Sequence, residues 1–373
     1  MKSILYIGID VHTTNYTICA LRPETDVCFA ETEFQPSMDC LEAYLESVRA
    51  GEEDPENVRF ICGYEAGCLG YEPYRQMKAR GIECRILAPS TMAKTPKDSR
   101  RKNDRLDAQR IARCLAHGTY KPVYVTDEND DAVKEYIRMR DDANGELKRL
   151  KQQITAFCVR HGRIYDGSKN KWTKTHRTWL QNIKFDEPTL NQTLASYLLR
   201  LKRVEEEIEG YDKQLHEFAM SDRYAEKVKR LGCLKGIATH TALSLIVEVG
   251  DFNRFPSPSH FAAYLGLTPG EHSSGNDKNG LGITKMGNVH LRRLLVEAAQ
   301  TFNRGSSARP SAVLKARQEG NPPELIHYAN RANERLRKKY ARLTLRRCSN
   351  VAKVAVAREL ACFIWGIMTD HID

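Results

Sequence analysis

The sequence predicts an α/β domain of the order β-β-β-α-β-α-β-α, roughly residues 1–125, followed by a mostly α-helical remainder. Three observations carry that expectation. First, β-type apolar runs, alternating or continuous, occupy residues 4–9, 16–21, 27–34, 58–64 and 84–88, the pattern of half-buried and buried strands. Second, the links after the first two runs, VHTTN and RPETD, are short enough only for antiparallel hairpins. Third, the later strands are separated by helical stretches at 38–50 and 71–80, as in βαβ units, and a helix over 104–117 closes the domain. This order is that of a ribonuclease-H-like fold.

A chain of 373 residues implies two or three domains. With 28% charged residues and a mean hydropathy of -0.55, no apolar run approaches the roughly 20 residues that span a bilayer. The opening MKSILYIGID runs directly into a strand ending on an acid, unlike a signal peptide. A cytoplasmic protein with no membrane partner is therefore expected. The eleven cysteines include no Cys-x-x-Cys pair, and the histidines show no spacing suited to zinc, so the cysteines read as reduced, mostly buried thiols. The net charge of +10 favours a polyanionic partner. Its distribution is more specific: residues 331–358 hold ten Lys or Arg against the single acid Glu334, and residues 94–113 hold eight against Asp98, Asp104 and Asp107.

Beyond the first domain, Leu147, Leu150, Ile154, Phe157 and His161 step by three and four, as do Leu194, Tyr197, Leu201, Val204, Ile208, Tyr211, Leu215 and Phe218. Two such seams flanking the polar segment 166–186 predict a helical coiled-coil arm over 126–222. The arm is either an antiparallel hairpin or a dimerising coiled coil, since heptads do not reveal whose helix fills the holes. From 223 to 373 the pattern becomes one of short helices and glycine-rich turns. LGCLKGIATHTALSLIVEVGD is helix-hairpin-helix-like, with Gly236 placed to let a turn approach a phosphate. The loop EHSSGNDKNGLG and a helix beginning near Asn288 follow.

Asp10 falls at the exit of the first strand and Glu65 at the exit of the fourth, while Asp104 and Asp107 are three apart on one helix and share a face. Each has an ordinary structural role open to it: ending a strand, capping a helix or complementing its dipole. Taken jointly they converge on one edge of the predicted sheet. Four carboxylates gathered there would repel one another unless a cation neutralised them. Oxygen-only ligands point to Mg²⁺ or Mn²⁺, acting on a phosphodiester.

Ile7-Gly8-Ile9-Asp10-Val11, Tyr64-Glu65-Ala66-Gly67 and Asn103-Asp104-Arg105-Leu106-Asp107-Ala108 resemble the signature of insertion-sequence DEDD transposases of the one-ten family. The C-terminal half carries the same resemblance in Ala262-Ala263-Tyr264-Leu265-Gly266-Leu267-Thr268-Pro269, His272-Ser273-Ser274-Gly275, Thr284-Lys285-Met286-Gly287-Asn288 and Leu291-Arg292-Arg293. The resemblance implies a recombinase guided by a structured bridge RNA, with a RuvC-like domain (1–125), a coiled coil (126–222) and a serine-bearing transposase domain (223–373). It implies Asp10, Glu65, Asp104 and Asp107 as metal ligands, and a nucleophilic serine in the loop before Gly275, with Ser274, directly before that glycine, the choice and Ser273 the alternative. Donor and target DNA, the guide RNA and a homo-oligomer, dimer or tetramer, are the implied partners.

From the residues alone, SSGNDKNGLG is a turn-forming segment, and no Ser-His-Asp arrangement is evident to activate a serine. Activation would fall to metal and carboxylates of the other domain. Lys285, Arg292 and Arg293, beside the amides of a helix start, are candidates to hold the scissile phosphate. Arg335, Arg337, Lys338, Arg342, Arg346 and Arg347 are candidates for backbone contacts to RNA and DNA. Three rival readings exist. A junction-resolving hydrolytic nuclease would need only the four acids. An actin-like ATPase would share the hairpin GIDVHTTN but also needs a second Asp-Gly hairpin and a Gly-Gly adenosine loop, which the sequence lacks. An architectural RNA-binding protein would need only the basic helices.

Overall fold

The computed structural model describes residues 3–92, 103–167, 170–274, 277–303 and 309–372, of which 272–274 and 277–280 are described as backbone only. The chain divides into two compact units, Met1–Val125 and Thr126–Asp373. The first contains β1 (Ser3–Val11), β2 (Tyr16–Arg22), β3 (Val27–Phe34), α1 (Met38–Ala50), β4 (Val58–Glu65), α2 (Glu72–Ala79), β5 (Cys84–Leu87) and α3 (Asp104–His117). The strands form one mixed sheet in the order β3-β2-β1-β4-β5. β1, β2 and β3 pair antiparallel as the short links require, and β4 and β5 add in parallel after their helical crossovers.

The two faces of this sheet follow from side-chain alternation. Leu5, Ile7 and Ile9 of β1 and Phe60, Cys62 and Tyr64 of β4 are buried against Leu41, Leu45 and Val48 of α1 and Met77 of α2. The residues of opposite parity face α3: Cys19 and Leu21 pack on Ala108 and Ala112, and Leu87 on Ile111 and Leu115. Gly8 lies at the centre of this second face. A Cβ there would stand 2.0 Å from the Ala108 carbonyl oxygen and 2.6 Å from the Ala112 amide, so the helix backbone rests directly on the strand. Gly63, paired with Gly8 across β1 and β4, leaves room in the same way for Leu115. Asn103 caps α3, its side chain accepting from the Arg105 amide, and Gly118 ends it in the left-handed conformation.

The second unit begins with two long helices, α4 (Glu128–Arg160) and α6 (Pro188–Ala219), with α5 (Lys174–Asn182) between them. They run antiparallel: Arg140 pairs with Asp212, Lys151 with Glu205, and Phe157 packs on Tyr197. The hairpin alternative is the one adopted. Leu194 and Leu201 are buried against Leu150, Ile154 and Phe157 of the same chain, so that much of the seam is filled internally. The remaining elements are α7 (Ala225–Leu231), α8 (Thr239–Val249), α9 (Pro258–Tyr264), β6 (Pro269–Ser274), β7 (Asp277–Ile283), α10 (Val289–Ala299), α11 (Ala312–Gln318), α12 (Pro323–Thr344) and α13 (Ser349–Met368). Their core centres on α8 and α13.

Asp141 of α4 ties the hairpin to this core. Its carboxylate lies 3.2 Å from His240 Nε2 of α8 and 3.5 Å from His290 Nδ1 of α10, and also pairs with Arg293. Burial alone would raise the Asp141 carboxyl, but the contact and charge of His240, then Arg293 and His290, outweigh it and hold the group well below the usual carboxylate range.

Two predictions follow from this packing. Gly8→Ala should destabilise the first unit by about 3 kcal/mol, the upper range of overpacking, whereas Gly51→Ala, whose Cβ would find its nearest neighbour at 3.6 Å, should change stability by less than about 0.5 kcal/mol. Equal denaturation midpoints for the two variants would contradict the packing described. For Asp141, whose folded pKa is depressed, the stabilisation is present above the unfolded carboxylate value and is lost as pH falls. Asp141→Asn should therefore cost about 3 kcal/mol near neutrality, and its gap from the parent should narrow below about pH 4. A pH-independent gap, read from unfolding curves, would rule out the charged lock.

Candidate active site

Parity places Asp10 on the same face as Gly8, and Glu65 on the same face as Gly63, at neighbouring strand ends under the first turn of α3. Because α3 sits in backbone contact with β1, its first two acids reach those strand ends. Ligand atoms of Asp10, Asp104 and His12 lie within 4.8 Å of one another. His12 Nε2 stands 3.2 Å from Asp10 Oδ2 and 3.9 Å from Asp104 Oδ1. Arg110, one turn along α3, joins the other two acids: its Nη2 donates to Glu65 Oε2 at 3.1 Å and lies 3.0 Å from Asp107 Oδ1.

The electrostatics are those of a crowded acidic site. Burial raises the Asp10 carboxyl above its ordinary value; His12 pulls it down, and Asp107 and Asp104 push it up again. The four expected acids thus lie around the ends of β1 and β4, Asp10 feeling the charge of both Asp104 and Asp107, and Glu65 linked to Asp107 through Arg110. Clustered carboxylate oxygens, accompanied by an imidazole, fit a hard divalent cation. His12 and Arg110 were not singled out in the sequence. Arg110 was findable from its spacing of three beyond Asp107, which puts it on the same helical face; His12 follows Asp10 at the strand exit.

In the second unit, β6 and β7 form a hairpin in which Ser274 pairs with Asp277 and Ser273 with Lys278. The segment read as a turn is thus mostly strand, although Gly275 and the side chains of both serines lie outside the described residues. The base of the hairpin is built tightly. A Cβ at Gly266 would lie 2.1 Å from the Met286 carbonyl oxygen, and one at Gly287 2.0 Å from that of Tyr264; both glycines have positive φ. The Lys285 amide donates to the Gly266 carbonyl and the Asn288 amide to that of Tyr264. Asn288 caps α10 and donates from Nδ2 to the buried Glu248 at 2.9 Å, which Arg138 contacts at 3.2 Å.

The residues expected to hold phosphate divide in two. Arg292 donates to the Leu265 carbonyl at 2.9 Å, and burial lowers its pKa; Arg293 pairs with Asp141. Both guanidinium groups serve internal contacts. Gly236, expected to approach a phosphate, packs on its own chain, where a Cβ would lie 2.6 Å from the Ala298 carbonyl oxygen. On α12, Arg337 and Lys338 pair with Glu334, and Arg335 and Lys339 with Glu359, an acid just past the basic run. Arg342, Arg346 and Arg347 are exposed and form no ion pair among the described residues. The basic residues Lys94, Lys97, Arg100, Arg101 and Lys102 lie outside the described residues.

Residues 7–161 match the DEDD transposase family of the IS110 type, and residues 228–312 match the family described as Transposase IS116/IS110/IS902. The Sinorhizobium fredii protein y4qE, itself named for transposition, is 37% identical over 309 residues, covering 83% of this chain and 75% of its own. The chain belongs to the IS110/IS116 transposase family. The transposase for insertion sequence element IS1533 of Leptospira borgpetersenii is 29% identical over 93% of this transposase and 99% of its own length. That for IS1111A of Coxiella burnetii is 25% identical over 99% and 91%. The transposase is accordingly an enzyme that cleaves and rejoins DNA. Its acids lie in the first matched segment and its serine hairpin in the second, while the exposed Arg342, Arg346 and Arg347 lie beyond both. Among the described residues no helix is long and apolar enough to cross a membrane.

The bridging position of Arg110 yields a prediction for this site. A cation that binds Glu65 and Asp107 must displace the guanidinium. Arg110→Ala should therefore lower the melting temperature without metal, by the few degrees that about 1 kcal/mol represents, and gain more than the parent on addition of Mn²⁺. An unchanged response to Mn²⁺ in scanning calorimetry would show that Arg110 and the ion do not share ligands.

Proposed function

We propose that this transposase is an RNA-guided, Mg²⁺- or Mn²⁺-dependent DNA recombinase that cuts and rejoins strands through a covalent serine-DNA intermediate. The observation that carries the metal-dependent part is the gathering of Asp10, Glu65, Asp104 and Asp107 at adjoining strand ends beside two basic side chains. A divalent ion held there supplies positive charge to a scissile phosphodiester. Arg110, displaced from its carboxylates, is placed to meet a phosphate oxygen, and His12 orients Asp10.

The serine part rests on the family resemblance of the His272-Ser273-Ser274-Gly275 segment. In this reading the Ser274 hydroxyl attacks the phosphorus and gives up its proton. The ester bond to the departing strand breaks, and that strand end leaves as a protonated hydroxyl. The phosphoserine ester conserves the energy of the broken bond, so rejoining to a new strand end needs no ATP. Exposed Arg342, Arg346 and Arg347 supply backbone charge for DNA and a structured guide RNA, with further contacts from Arg335, Arg337, Lys338 and Lys285. The helical arm is the proposed contact between copies, in a dimer or tetramer. Because its α4-α6 seam is filled within the chain, outward residues such as Leu199 and Val159, both exposed, would make that contact.

Asp10→Asn and Ser274→Ala are each expected to abolish recombination while leaving RNA binding intact. A mixture of the two should regain partial activity if the serine of one copy meets the acids of another. Trapped reactions of the parent should contain a phosphoserine-DNA adduct missing from Ser274→Ala. Cleavage that releases ends without an adduct would favour the hydrolytic nuclease, and full recombination by Asp10→Asn would exclude the acidic site.

A further inference from the structure

We propose that a hollow beside the turn between α7 and α8 holds one unpaired nucleotide of a nucleic-acid strand, a role that rests on the recombinase reading above. The hollow has a volume of about 390 Å³ and is formed by the α7-α8 turn, the start of α11 and one face of α12. Its size suits a single nucleotide, not a duplex.

The chemistry of its walls is divided as a nucleotide requires. Lys235 occupies the turn itself. Its amide donates to Asn333 Oδ1 at 2.9 Å, which fixes the backbone, while its ammonium stands 5.7 Å over the Phe302 ring and forms no ion pair among the described residues. Arg309 and Arg337, the latter paired with Glu334, also line the hollow. Among the described lining residues Glu334 is the one carboxylate, facing Arg337 at 2.8 Å and Lys338 at 3.2 Å, against Lys235, Arg309 and Arg337, so the lining keeps a net positive charge that favours an anion. Phe302, Pro310 and Leu314 form an apolar wall. Asn330, also in the lining, accepts from Gln318 at 3.0 Å, and its own amide N–H groups donate to nothing among the described residues. Cations for a phosphate, an apolar wall for a ring face and a side-chain amide for a base edge are the elements that receive a nucleotide turned out of its stack.

A strand, as opposed to a free mononucleotide, is indicated by what lies next to the hollow. Through Glu334 it adjoins a second depression along α12, where five cations, Arg331, Arg335, Lys338, Lys339 and Arg342, outnumber the two acids Glu334 and Glu359. That surface offers successive phosphates a track leading into the pocket, in the manner of single-strand grooves.

The test uses the intact transposase in EDTA, which prevents cutting, and four fluorescent hairpin oligonucleotides: DNA and RNA, each fully paired or carrying one bulged nucleotide. The bulged form of at least one nucleic acid should bind about tenfold more tightly than its paired counterpart, and which one does so identifies the strand. Lys235→Met, which keeps the aliphatic stem over Phe302, should erase that preference while leaving binding to the paired hairpin within about twofold. Equal affinity of the unaltered protein for bulged and paired forms overturns the pocket whether or not the variant folds. A Lys235→Met loss of the same factor on both forms would make Lys235 an ordinary backbone contact. Absence of binding to all four hairpins would overturn the recombinase reading itself, a different result from indifference to the bulge.

Discussion

The first unit depends on the contact of a helix backbone with a strand backbone at Gly8. With no Cβ on the strand, the Ala108 carbonyl and the Ala112 amide approach β1 more closely than any side chain permits. That depth sets the position of the N-terminal turn of α3, one turn before Ala108. Asp104 and Asp107 thereby reach Asp10 and the Glu65-Arg110 pair, Asp107 mostly covered and Asp104 still half exposed. The acidic site is thus a consequence of packing, and the energy that holds mutually repelling carboxylates together comes from apolar burial along the rest of α3, at Ile111, Cys114 and Leu115.

The second unit applies the same device at the serine hairpin. Gly266 and Gly287 bring two chain segments into backbone contact at the root of β6 and β7, and the Asn288 cap ties that root to the buried Glu248. The charged residues nearest this root, Arg138, Arg292 and Arg293, act as internal fasteners. A rigid root would suit the role proposed for Ser274, which asks a short segment to place a side chain with precision.

Much of this was legible in the sequence because periodicity and turn chemistry are local. The five strands, their hairpin and crossover links and the limits of α1 and α3 followed from alternation, short links and spacing. The acids at strand exits could be named because parity fixes which face a strand residue occupies. Long-range partners were not legible. Nothing local marks Arg110 as the bridge between Glu65 and Asp107, or Asp141 as the partner of His240 and Arg293, since those pairs are set by tertiary packing. The charge run on α12 was read as nearly unopposed because the opposing acid, Glu359, comes from the next helix. The glycine-rich serine loop read as a turn because its β-pairing depends on a clamp at its base, not on strand-forming residues. The heptads, finally, left open whether their seam closed within one chain, and the antiparallel ion pairs between α4 and α6 decide that.

A divalent-cation site built from Asp10, Glu65, Asp104 and Asp107 by the packing of α3 on Gly8 would be visible directly in a crystal. A crystal structure of the transposase grown with Mn²⁺, with data collected at the manganese absorption edge, tests it most directly. An anomalous peak is expected at roughly 2.0–2.4 Å from carboxylate oxygens of Asp10 and of the α3 acids, with the Arg110 guanidinium withdrawn from Glu65 or Asp107. A fully occupied ion elsewhere, with Arg110 still bridging those two acids, would contradict it.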